Sequence, residues 1–87
     1  MKLVSGFSLR TIADSRVVVP VGETTINFKG MITLNGSGAF LWEQLGTEKT
    51  EAELVLALQD EYEIEEQTAL LDVKQFVEVL SRAGFLQ

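Results

Sequence analysis

The spacing of hydrophobic positions along the chain changes near residue 35. Before it, apolar and polar side chains alternate; after it, apolar residues return every three or four positions, the periods of strand and helix. "FSLRTIA" puts Phe7, Leu9 and Thr11 on one side and Ser8, Arg10 and Ile12 on the other. Asp14-Ser15 predicts a tight turn into "RVVVPV", a β-branched run from Arg16 to Val21. Pro20 has no amide to donate, so this strand ends there or turns that position away from a neighbour. "GETT" reads as a turn or loop. "INFKGMITL" then alternates, with Ile26, Phe28, Ile32 and Leu34 on one face and Asn27, Lys29, Met31 and Thr33 on the other. Gly30 interrupts it as a candidate bulge. Connections this short favour an antiparallel meander with the first and third strands at its edges.

Three helices are predicted next. Asn35 suits an N-cap, because its side-chain oxygen can accept from a first-turn amide. Leu41, Trp42 and Leu45 follow at helical spacing, and Gly46 is placed to terminate the helix. Gly36 and Gly38 weaken the first turn or permit a close backbone approach there. Thr50-Glu51-Ala52-Glu53 has the form of a capping box, and Leu54, Leu58 and Tyr62 make a stripe behind it. After a linker closed by Ile64, a third helix runs from about Glu65 to Ala83. It has acids in its first turn, Arg82 in its last, and Gly84 beyond. Ala69, Val73, Phe76, Leu80 and Ala83 share its core stripe. Leu70 and Val77 lie about 80–100° around from the centre of that stripe, beside Lys74 and Ser81. Such a shoulder is either the edge of a wide core contact or the wall of a groove. Phe85 and Leu86 are expected to fold back on the core.

Composition narrows the chemistry. Eighty-seven residues, 46% of them hydrophobic and one a proline, suit a single folded domain spanning 1–87. The chain has no cysteine and no histidine. Thiol nucleophiles, imidazole bases and the usual zinc ligands are therefore excluded. No apolar run approaches the ~18 residues of a membrane span, and the N-terminus "MKLVSGFSLR" has far too short an apolar run for a signal peptide, which favours a soluble cytoplasmic protein. Residues 1–35 carry four cations and two acids, a net +2; residues 36–87 carry three cations and eleven acids, a net −8. A phosphate backbone would be repelled by that second half.

The order of these signals resembles the PqqD-like proteins, whose shared domain is called the RiPP recognition element. "MITLN" entering a helix, "AFLWEQL", "TEAELVLALQDEY" and "DVKQFVEVLSRAGFL" carry the resemblance, which extends from about Gly6 to Leu86. No one piece is specific; their order, spacing and total length together are. Where many relatives have an acid and a threonine after the capping asparagine, this chain has Gly36-Ser37-Gly38. The resemblance implies an α+β, winged-helix-like fold, an N-terminal three-stranded antiparallel sheet followed by three helices. It also implies a non-catalytic role without cofactor or metal. Such proteins bind the leader segment of a ribosomally made precursor peptide and present it to a modifying enzyme, often a radical SAM enzyme. The leader is held as an added strand between the third strand and the third helix. Carried onto this chain, the peptide-binding residues are Lys29, Gly30, Met31, Ile32 and Thr33 of the strand and Leu70, Val73, Lys74, Val77 and Ser81 of the helix. Lys29, Lys74 and Arg10 would then favour leaders bearing acidic residues.

Two other functions fit parts of the sequence. A winged-helix regulator would read DNA with the third helix, but Lys74, Gln75 and Arg82 there face Glu65, Glu66, Asp72 and Glu78. A generic protein–protein adaptor, docking on an enzyme without gripping a peptide, is not separable by sequence. An enzyme is disfavoured, because Glu61, Glu63, Glu65 and Glu66 surround an inter-helix turn and read as solvated capping acids.

Overall fold

The computed structural model describes residues 1–22 and 32–87. Strands β1 (Phe7–Ile12), β2 (Ser15–Pro20) and β3 (Ile32–Leu34) precede helices α1 (Gly36–Gln44), α2 (Glu51–Tyr62) and α3 (Glu66–Ala83). The strands form one antiparallel sheet in the order β1-β2-β3, so the α+β architecture expected from the sequence is the one observed. Gly30, Lys29, Met31 and the alternation assigned to Ile26 and Phe28 lie outside the described residues.

Register places Leu9 opposite Val18, and Val18 opposite Ile32. Directly opposed residues share a face of an antiparallel pair, so Leu9, Val18 and Ile32 form one apolar row that the helices cover. Ile12 pairs with Ser15, which makes the β1–β2 loop Ala13-Asp14, one residue earlier than the Asp14-Ser15 expected. Ala13 takes φ +54° to fit it. A two-residue hairpin loop needs such a left-handed residue to follow the twist of its strands. β2 stops at Pro20.

Local capping sets the helices. The Gly38 amide donates to Asn35 Oδ1 at 2.7 Å, and Ser37 Oγ donates to the same oxygen at 3.1 Å. Thr50 and Glu53 close the capping box: the Glu53 amide donates to Thr50 Oγ1 at 3.1 Å, and the Thr50 amide to Glu53 Oε1 at 2.9 Å. That second bond, aided by the Thr50 hydroxyl, holds the Glu53 carboxyl below its ordinary pKa. Glu63 ends α2 in a left-handed conformation, φ +51°, and Gly84 ends α3 in another, φ +81°. Gly46 stands just past the C-cap Leu45, where it was expected to end α1, but without taking a left-handed conformation.

The core gathers Val18 from the sheet, Leu41 and Leu45 from α1, Leu54 and Leu58 from α2, and Ala69, Val73 and Leu80 from α3. Phe85 is buried completely, as its return to the core requires. Its ring stands edge-on to Phe7 at 4.6 Å and to Trp42 at 5.5 Å, joining β1 to α1. Residues 2–4 complete this end of the molecule. The Gln87 amide donates to the Lys2 carbonyl at 2.8 Å and the Val4 amide to the Phe85 carbonyl at 2.8 Å. Ala83, expected in the core stripe, is exposed.

Candidate functional site

Among the described residues β3 has one strand neighbour, β2. Its other border therefore presents backbone N–H and C=O groups that no described strand answers, a template for one more extended chain. Leu34 leads through the single residue Asn35 into α1, so the border runs directly into a capped helix start.

The opposite wall comes from α3, and helix geometry decides which of its residues face the strand. With Val73 as zero on a wheel of 100° per residue, Phe76, Asp72 and Val79 fall at about −60°, −100° and −120°. Leu70, Val77, Ser81 and Lys74 fall on the other flank, at about +60°, +40°, +80° and +100°. An open groove of about 220 Å³ lies between Thr33, Leu34 and Asn35 on one side and Asp72, Gln75, Phe76 and Val79 on the other. Ser37, Gly38 and Leu41 of α1 form its floor. The negative flank is thus the one turned to β3. A Cβ at Gly38 would stand 3.0 Å from Asn35 Oδ1, the capping oxygen, and at ordinary contact distance from Leu34 Cβ and Phe76 Cε1, 3.5 and 3.6 Å. The close approach that the missing side chain permits is therefore to the cap and not to the ring. Gly36 has only the Tyr62 hydroxyl near it, at 3.9 Å.

The residues singled out from sequence divide accordingly. Ile32 is half-buried toward the core, and Thr33 is exposed on the open border. Lys29, Gly30 and Met31 lie outside the described residues. Val73 is fully buried, so it supports the wall from beneath and offers no surface. Leu70 and Val77 are half-buried against the core cluster, as Phe76 is, and do not line the groove described above. Lys74 and Ser81 are exposed on that same far flank. Arg10 belongs to β1, at the sheet border farthest from β3. Sequence reasoning missed Asp72, Gln75 and Val79, and it assigned Phe76 to core alone. Val79 is an apolar residue that stays 50% exposed, but so is Leu71, at 69%, which lines neither this groove nor the cleft near Trp42.

A second, larger cleft, about 590 Å³, lies over the sheet face near Phe7, Leu9 and Trp42. Arg16 and Glu43 in its wall already pair with each other at 3.0 Å, and its strand side is Phe7, Ser8 and Leu9 of β1, the sheet's other border. We take the candidate site at β3, whose border runs directly into a capped helix start and has α3 beside it. Among the described residues no group of three or more histidine, cysteine, aspartate or glutamate side chains is placed to hold a metal ion. What the groove offers is backbone, apolar surface, the neutral polar side chains of Thr33, Asn35, Ser37 and Gln75, and one carboxylate.

A profile described as "Coenzyme PQQ synthesis protein D (PqqD)" matches residues 16–86. The chain belongs to the PqqD family. No curated protein matches it in sequence. Among solved structures, TbiB1 in complex with the TbiA(beta) leader peptide matches with a TM-score of 0.75 and 23% identity, over 100% of this chain and 95% of that one. At that identity the likeness establishes a shared fold. The PqqD-family match begins at Arg16, so it covers β2, β3 and all three helices, every element that borders the groove. In this PqqD-family chain no helix of the described residues is long and apolar enough to cross a membrane.

Proposed function

We propose that this PqqD-family chain is a non-catalytic recognition protein. It binds the leader of a ribosomally made precursor peptide by strand addition at β3 and presents it to a modifying enzyme of the radical SAM class. The single observation that carries the reading is the border of β3 that no strand among the described residues pairs, lying beside the groove under Phe76 and Val79. The solved structure with the same fold, TbiB1, is one held with a leader peptide, which is in keeping with it.

The division of labour follows from magnitudes. Each ladder bond to Ile32–Leu34 nets about 0.5–1.5 kcal/mol and is indifferent to side chain. An aliphatic or aromatic anchor buried against Leu34, Leu41 and Phe76 contributes about 1.5–3 kcal/mol. Ordering a flexible leader offsets much of the sum. One or two anchors therefore set affinity, while the strand border sets direction and extension. A DNA-reading role draws no support from α3, whose Arg82 is engaged by Glu78 at 2.7 Å.

Leader segments of short reading frames encoded beside its gene, synthesised with a fluorophore, test the proposal by anisotropy. One of them should bind saturably, and Val79→Asp should weaken it while the far-UV spectrum stays native. Failure of every such leader to bind would end the reading.

A further inference from the structure

We infer that the groove selects an extended peptide bearing a lysine or arginine close to its apolar anchor, and that Asp72 reads that charge. The inference rests on the peptide-binding reading above and adds a ligand class to it. Of the residues lining the groove, Asp72 is the one ionisable side chain. It makes no ion pair with any described residue, whereas Glu43 and Glu78 are held by Arg16 and Arg82. Lys74 stands about 160° away around α3, on the flank that turns from the groove. Among the described residues no cation stands by Asp72, so a basic ligand side chain can supply one.

Three physical effects then favour a basic peptide. Residues 36–87, which supply α1 and α3, carry a net −8, so the field over the groove has the sign of Asp72 itself. A chain seated along β3 displaces water beside the carboxylate, so the pair is screened less than one on open surface. An acidic residue at the same place would face an unpaired carboxylate, and rejection contributes to selectivity as much as attraction does. The location in the ligand follows from spacing. Asp72 and Phe76 are one turn apart, about 6 Å along the helix. Alternate residues of a strand are about 6.8 Å apart. The cation therefore belongs within a few positions of the anchor that meets Phe76.

Random dodecapeptides displayed on phage are the probe, selected in parallel against the wild-type chain, Asp72→Asn and Asp72→Lys. Asp72 is exposed, and circular dichroism checks that the variants keep the native fold. Wild-type protein should enrich peptides with lysine or arginine near an aliphatic or aromatic residue, and Asp72→Lys should enrich aspartate or glutamate there instead. In a synthetic wild-type hit, replacing the basic residue by glutamate should weaken binding about threefold to tenfold at low salt. That gap should shrink in high salt and vanish in Asp72→Asn. Peptides with apolar anchors but no charge preference, or the same preference in wild type and Asp72→Lys, would overturn the inference and leave peptide capture standing. No enrichment by the wild-type chain would remove both.

Discussion

The Gly38 amide donates to Asn35 Oδ1 at 2.7 Å, and the cap sits so close that a β-carbon on Gly38 would lie 3.0 Å from that oxygen. The same β-carbon would stand 3.6 Å from Phe76 Cε1, at ordinary contact distance, so anything larger would reach the ring in the groove wall. Gly38→Val should therefore push on the ring and the cap together. We expect a loss of about 1–3 kcal/mol in a urea denaturation series, together with loss of peptide binding.

The two flanks of α3 should respond differently to one charge. Val79 is 50% exposed at the groove rim, so Val79→Asp should change stability by less than about 0.5 kcal/mol while lowering peptide affinity tenfold or more. Val77 packs against the core cluster on the other flank. Val77→Asp should cost about 2 kcal/mol or more, yet the molecules that remain folded should bind normally. Equal effects of both substitutions on affinity would show that the flanks are assigned wrongly.

How much of this was legible beforehand depended on the range of the interaction. Asn35, the Thr50–Glu53 box and Gly84 act within a turn of themselves, and each capped where its residue type predicted. The stripe of α3 was likewise periodic enough to place Ala69, Val73 and Leu80 in the core. The groove wall was not legible in the same way. A helical wheel shows two shoulders beside a stripe but carries no information about which one meets the strand. Leu70 and Val77 form the shoulder that the spacing singles out and Phe76 counts within the stripe, while the described groove is lined by Phe76 and Val79. The hairpin turn slipped by one residue for a related reason. Asp14-Ser15 has the composition of a turn, while Ala13 bears the left-handed conformation without having the residue type for it.

That conformation yields a prediction of its own. An alanine at φ +54° carries strain of about 1–2 kcal/mol, part of which glycine returns as lost chain entropy. Ala13→Gly should raise stability by about 0.5–1 kcal/mol, visible as a higher Tm with unchanged peptide binding. Glu63, at φ +51°, should respond to Glu63→Gly in the same direction.

Acid sensitivity should trace in part to the capping box of α2. The hydrogen bonds from Thr50 hold Glu53 below its ordinary value of 4.5 in the folded chain. A carboxyl depressed in this way contributes stability that is fully present above the unfolded pKa and lost as pH falls through the folded one. Wild-type Tm should therefore decline below about pH 4.5, and Glu53→Gln should decline less steeply over the same interval. Thr50→Ala removes the hydroxyl cap and should cost about 1 kcal/mol at neutral pH.

The proposed function stands on an extended ligand lying along β3 and under α3, which isotope-filtered NMR on a bound leader peptide reads at the backbone itself. Cross-strand contacts from the peptide backbone to Ile32, Thr33 and Leu34, with side-chain contacts to Phe76 and Val79, are the predicted result. Contacts confined to the β1 border, or to the Leu70–Val77 flank, would contradict it.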